Sequence, residues 1–291
     1  MTRFVFLTFD GLSRGAIYAA VALSLVVIWR GTRIVNFAQG AMAMVTAFLA
    51  FSVLSATGSW TLGLLVALVA GLALGAAVER GLMRRVAGGP ELNAVIVALG
   101  LLIVLEAGAG MVYGNAFRGF PTPVGRNAYR VGSLAILSPY DLLTLGAVLV
   151  VMVAASVLFL RTPTGLRMRA SAFAPEVARL LGVRVGRTLT LSWALAALVG
   201  SLAGVLVSPT VFLFPNNMDG VFVAGFTAAV VGGLDSLPGA VLGGIVTGLV
   251  LSYAGGYLGS DLTDVAALAL LVVVLLTRPA GLLARTRGRV V

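Results

Sequence analysis

The sequence predicts an all-α integral membrane protein, a polytopic helical bundle of about 8–10 transmembrane helices with broken or re-entrant segments. Three observations carry that reading. Of 291 residues, 60% are hydrophobic and only 10% charged, at a mean hydropathy of +1.09. A soluble domain cannot hide that much apolar surface. The apolar residues fall into runs close to the length of about 20 that crosses a hydrocarbon core of about 30 Å. Between the runs the arginines gather in a few short segments, as they do in loops kept on the cytoplasmic side. The chain reads as one membrane domain over 1–291: a first half 1–160, a central cytoplasmic loop 161–187, a second half 188–277 and a cytoplasmic tail 278–291. No room remains for a separate soluble catalytic domain.

Composition also excludes chemistry. With no Cys and no His, disulfides, thiol catalysis, histidine bases and Cys/His metal centres are absent. No metal site is expected. All 20 basic residues are arginine, and the net charge is +10. Because these arginines flank apolar spans, they fit lipid head groups and topology and not nucleic acid.

Taken in order, the first span runs from about Asp10 to Trp29, and no cleavable signal pattern precedes it. Arg14 near its start either snorkels to the interface or faces a polar path. The segment Arg30 to Gly40, RGTRIVNFAQG, then interrupts the apolar pattern. Asn36, Gln39 and Gly40 mark a break that either lines a pathway or forms an ordinary loop; irregular backbone survives at membrane depth only when buried or facing a cavity. Spans follow at about Ala41–Thr57 and Trp60–Met83. The second of these carries Gly71 and Gly75, a pair that lets helices approach closely, and it ends in the charged group Glu79, Arg80, Arg84 and Arg85. The span from about Leu92 to Tyr113 contains Glu106, a carboxylate expensive enough within a bilayer to be a functional candidate or a paired structural group. Residues 114–137 form a Gly/Pro-rich outer connection, and a span at about Tyr140–Leu160 leads into the central loop.

That loop, RTPTGLRMRASAFAPEVARLLGVRVGR, holds six arginines and one acid, Glu176. Thr164 suits the cap of a helix through Arg167 and Arg169. Pro175 suits the first turn of a second short helix and Gly182 the position after its end. Val177, Leu180 and Leu181 share one face of that helix. The stripe either lies on the membrane surface or docks into a groove on a cytoplasmic partner.

Beyond it come a span at about Leu189–Val207, an outer turn SPTVFLFPNNMD, and a run Val221–Val231 too short to cross alone. The segment VGGLDSLPGAVLGG, with Gly232, Gly233, Asp235 and Ser236, is either a broken helix pair aimed at a buried site or a tight hairpin. Spans at about Ala240–Tyr257 and Leu262–Thr277 complete the membrane part. Holding the central loop and tail inside places the N-terminus outside, with about nine passes. NFAQGAMAM at 36–44 and DSLPGAVLG at 235–243 echo each other, one in each half, and paired interruptions of this kind point to a solute path.

The chain resembles the permease subunits of branched-chain amino acid (hydrophobic amino acid uptake) ABC importers, in particular the compact member of the pair. IVNFAQGA at 34–41, RTPTGLRMRA at 161–170, Ala-x-Leu-Leu-Gly-Val at 178–183, GGLDSLPGAVLGG at 232–244 and LLTRPAGL at 275–282 carry the resemblance, in the expected order and over nearly the whole chain. It implies a bacterial inner-membrane subunit that pairs with a second, related permease. An extracytoplasmic binding protein delivers solute, and two cytoplasmic ATPase subunits bind ATP and Mg. It also implies that the central loop is the coupling element: Ala174, Pro175, Glu176, Val177, Ala178, Arg179, Leu180, Leu181, Gly182 and Val183. No Walker motif occurs and no lysine exists to complete one, so this chain binds no nucleotide cofactor. Two alternatives stand beside this one: a similar permease for urea, short amides or another small solute, and an ion-coupled carrier that uses Glu106 or Asp235.

Overall fold

The computed structural model describes residues 2–86, 89–131, 134–278 and 280–283. It is helical almost throughout. Among the described residues, eight helices are long and apolar enough to cross a membrane, and Asp219–Gly232 is a shorter apolar helix. The long helix α1 spans Thr2–Thr32, α2 Gln39–Thr57 and α3 Trp60–Val78. A π-helical turn, Glu79–Met83, carries α3 into the short α4, Arg84–Val86. Then come α5 Glu91–Tyr113 and a two-stranded ribbon, β1 Arg130–Val131 against β2 Leu134–Ala135. The helix α6 spans Pro139–Arg161, α7 Pro163–Phe173 and α8 Pro175–Leu180. The second half holds α9 Val185–Val211, α10 Asp219–Gly232, α11 Leu237–Tyr257 and α12 Thr263–Thr277.

Local chemistry sets the ends. Ser138 and Asp141 form a reciprocal capping box around Pro139 at the start of α6. The cap of α7 is Thr162, whose hydroxyl accepts from Gly165 N at 3.0 Å, and not Thr164. Pro163, with no N–H to satisfy, fixes the first helical position and shifts the cap one residue before it. The first helix starts well before Asp10, and polar side chains in its early turns find partners: Arg14 pairs with Asp10 at 2.8 Å, Ser252 donates to Asp10 at 2.8 Å, and Arg3 reaches the Gly256 carbonyl.

The two halves mirror each other in packing. The most extensive contacts are α1 along α11 and, correspondingly, α9 along α3. The shorter helices follow suit, α2 lying on α3 and α9, and α10 on α11 and α1. Outermost, α5 packs on α2 and α12 on α10. Both long seams depend on small residues, which let backbones meet closely. Gly71 faces Ser201 and Ala197, and Gly75 faces the Trp193 carbonyl; Gly244 and Gly248 face Ala19 and the Gly11–Gly15 stretch of α1. The long helices α1 and α9 run in opposite directions through the core, so the units α1-α2-α3-α5 and α9-α10-α11-α12 are inverted copies in architecture.

One end of the bundle gathers Arg30, Arg33, Arg80, Arg84, the loop 161–187 and Arg278. The other holds the start of α1 and the described part of the connection after α5, where Arg118 and Arg126 serve helix ends. Arg118 donates to the Tyr113 carbonyl that closes α5, and Arg126 to Pro209 O in α9 at 2.6 Å.

Candidate functional site

Two interruptions define the centre of the molecule. The first lies between α1 and α2. Arg33 turns the chain at φ 60°, and the amides behind it replace the missing helical bonds. Asn36 Oδ1 accepts from Ala38 N at 3.0 Å, Asn36 Nδ2 donates to Gln39 Oε1 at 2.9 Å, and Gln39 Nε2 donates to Ala196 O of α9 at 2.9 Å. Both side chains are buried, so every one of these bonds replaces hydration that the interior withholds. Gly200 makes room, because a Cβ there would strike the Gln39 amide. Gly40 sits against Met218 and Phe222 at the start of α10. The N-termini of α2 and α10 therefore lie side by side.

The second interruption lies between α9 and α10, at 212–218, where Phe212 and Asn216 have φ of 62° and 72°. At 14 residues, α10 is about 21 Å long and cannot cross alone; the irregular lead-in brings it to depth. Asn216 Nδ2 donates to Glu106 Oε2 at 2.8 Å and approaches Asp219 Oδ2 at 3.5 Å. Glu106, Asn216, Asn115 and Pro215 border a cavity of about 480 Å³.

The sequence motif at 231–244 is a tight turn and not a broken helix. Gly232 and Gly239 meet backbone to backbone, Gly233 takes φ 95°, and Ser236 caps α11 by accepting from Gly239 N at 3.0 Å. Asp235 pairs with Arg33, so this turn is tied to the first interruption; the pair is 57% and 40% exposed and so contributes little stability. The structural counterpart of 36–40 is therefore 216–220 and not 235–243. Gly233, Asp235 and Ser236 border a second cavity of about 990 Å³ at the arginine-rich end. The candidate residues thus fall into three places: Asn36, Gln39 and Gly40 in the core, Glu106 at one end, and Gly232, Gly233, Asp235 and Ser236 at the other.

The central loop folds as two short helices. Gly165 abuts the Leu158–Phe159 backbone, which lets α7 turn back on α6. Pro175 opens α8, Glu176 and Arg179 pair across one turn at 2.7 Å, and Gly182 reverses the chain at φ 79°. Ala178 is buried against the body, and Val183 N donates to its carbonyl at 2.9 Å. Leu180 and Leu181 point away from it, 88% and 78% exposed, with Val177 beside them.

A network missed from the sequence ties this loop to the bundle. Glu79, 2% exposed, accepts from Arg84 Nε and Nη2 at 3.0 and 2.7 Å and from Thr190 Oγ1 at 2.5 Å. Arg84 also donates to Gly186 O at 3.0 Å. The π turn places Arg84 five residues after Glu79 on the same side, so the first turns of α9, directly after α8, are held to α3. Asn216 and Asp219 were missed as well. Their spacing, Asn-x-x-Asp-Gly at 216–220 against Asn-x-x-Gln-Gly at 36–40, was the available signal.

Inverted helical halves, paired interruptions and an exposed amphipathic helix in a basic loop fit a multi-pass transport component. The family described as branched-chain amino acid transport system / permease component matches residues 7–275, and this chain belongs to it. The chain is 31% identical over 294 residues to the high-affinity branched-chain amino acid transport system permease protein LivH of Salmonella typhimurium, covering 95% of this chain and 94% of that protein. It is 31% identical over 295 residues to LivH of Escherichia coli K12 and 30% over 291 residues to BraD of Pseudomonas aeruginosa, each at 95% and 94% coverage. The protein is a multi-pass permease of the bacterial inner membrane.

Proposed function

We propose that this chain is the permease subunit of an ATP-driven importer, and that with a second, related permease it forms the path for branched-chain or other amino acids delivered by an extracytoplasmic binding protein. Two cytoplasmic ATPase subunits carry the ATP and Mg. The observation that carries this reading is α8, an amphipathic turn with Leu180 and Leu181 bare at the arginine-rich end. Soluble-facing leucines so exposed, beside an ion pair and on a rigid cap, suit a groove on a partner. Motion of that partner passes through Ala174–Val183 into α9 and, through Thr190, Glu79 and Arg84, into α3. Within the permease, Asn36, Gln39 and Gly40 brace the interruption from inside. Glu106 meets solute at the outer end, and Gly232, Gly233, Asp235 and Ser236 close the inner end through the Arg33 pair.

The test is Leu180→Ala with Leu181→Ala in the assembled importer. Uptake of leucine should fall at least about tenfold, the loss expected of two interface anchors, while the protein stays in the membrane. Unchanged uptake would remove α8 from the coupling role.

A further inference from the structure

The cavity at the arginine-rich end holds two arginines, Arg30 and Arg169, that the proposed transport role does not use. It is bordered by the C-terminal end of α1, the ends of α6, α10 and α12, and α7. Arg30, Arg33 and Arg169 all line it, with Asp235 as the acid among its lining residues. That acid is already engaged by Arg33. Among the described residues neither Arg30 nor Arg169 has a carboxylate within 4.0 Å. Arg30 lies instead over the Phe159 ring at 4.9 Å, and the buried Nε–H of Arg169 donates to nothing.

Two guanidiniums left without counter-charge call for an anion. Arginine at such a place favours the planar oxygens of a phosphate, which accept two parallel N–H bonds. The remaining walls decide which phosphate. Trp29, Leu160, Phe173 and Leu275 are apolar, and the cavity of about 990 Å³ far exceeds a free ion. A zwitterionic amino acid fits less well, because its ammonium would have to compete with Arg33 for Asp235. Basic pockets between helix ends at the cytoplasmic leaflet are suited to lipid head groups, and Trp29 is placed at interfacial depth.

We propose that this cavity binds the phosphate of an anionic phospholipid from the cytoplasmic leaflet, held by Arg30 and Arg169, with its glycerol and upper acyl chains against the apolar wall. The site is independent of which solute is carried.

The full importer is incubated with phosphatidylcholine vesicles containing phosphatidylglycerol, extracted in mild detergent, and examined by native mass spectrometry for phosphatidylglycerol retained on this subunit. The wild type should retain it; Arg30→Gln with Arg169→Gln should lower retention about tenfold. Arg187→Gln, which removes one positive charge as Arg169→Gln does, but from an exposed position outside the cavity, should retain it fully. Arg169→Gln alone, on the surface helix α7, should show a partial loss and serves where the double variant does not fold. Full retention in both cavity variants would overturn the site. Equal loss in Arg187→Gln would reduce it to unspecific charge attraction. Complete displacement by inorganic phosphate at matched concentration would reassign it to a free anion.

Discussion

The turn from α1 into α2 and the turn from α9 into α10 occupy matching places in inverted halves, yet they do different work. The first is neutral and closed. Asn36 and Gln39 spend their amides on each other, on Ala38 N and on Ala196 O, and water reaches neither. The second is acidic and open. Asn216, in a left-handed conformation that Asn tolerates well, holds out its amide to Glu106 beside Asp219, at the rim of a cavity. One architecture thus supplies a strut in the first half and a contact surface in the second. The cost of replacing a residue should follow that division.

The seams beside the two interruptions give the largest expected difference. A Cβ on Gly204 would meet the Ala43 carbonyl oxygen at 2.5 Å, a backbone atom of α2 that cannot yield. Gly225, the corresponding close approach of α10 to α1, would meet the Val21 side chain, which can rotate. Gly204→Ala should cost about 3 kcal/mol, against about 1 kcal/mol for Gly225→Ala, read from thermal melting of the purified protein in detergent. Equal losses would show that the two seams are equally rigid and would break the contrast.

The amides themselves sharpen it further. Asn36→Ala leaves Ala38 N and Gln39 Oε1 buried without partners, and should destabilise by about 1–3 kcal/mol. Asn216→Gly keeps the left-handed backbone and removes only the exposed amide, so the melting temperature should hardly move, while leucine uptake falls. A melting loss for Asn216→Gly as large as that for Asn36→Ala would mean that both turns are struts.

Much of this was legible in the sequence. Span positions followed from apolar run length, Gly71 and Gly75 announced a close seam, and Pro175 with Gly182 bounded α8 to the residue. All of these are local signals. What stayed open depended on relations between distant segments. GGLDSLPGAVLGG has the composition of a broken helix, but whether Gly232 faces a cavity or the Gly239 backbone depends on how α10 and α11 pack. The pairing of Glu79 with Arg84 depends on a π turn that periodicity does not reveal. The mirror of 36–40 is not the Gly/Pro-rich 235–243 but 216–220, where Asn and Gly recur at the same spacing with Asp219 in the place of Gln39.

The smallest effect is expected at Glu106, and it separates a contact residue from a structural one. Glu106 and Asp219 share the single Asn216 amide, so two carboxyl groups are held close without a cation among their described partners. Glu106→Gln keeps the shape and removes one of them, so stability should stay level or rise by about 0.5 kcal/mol or less. If the carboxylate meets the ammonium of incoming solute, the same change should weaken the apparent affinity of uptake about threefold with little change in maximum rate, because binding and not the switching step is touched. A pure stability loss with unaltered uptake affinity would return Glu106 to the role of a strut and make the second interruption a copy of the first.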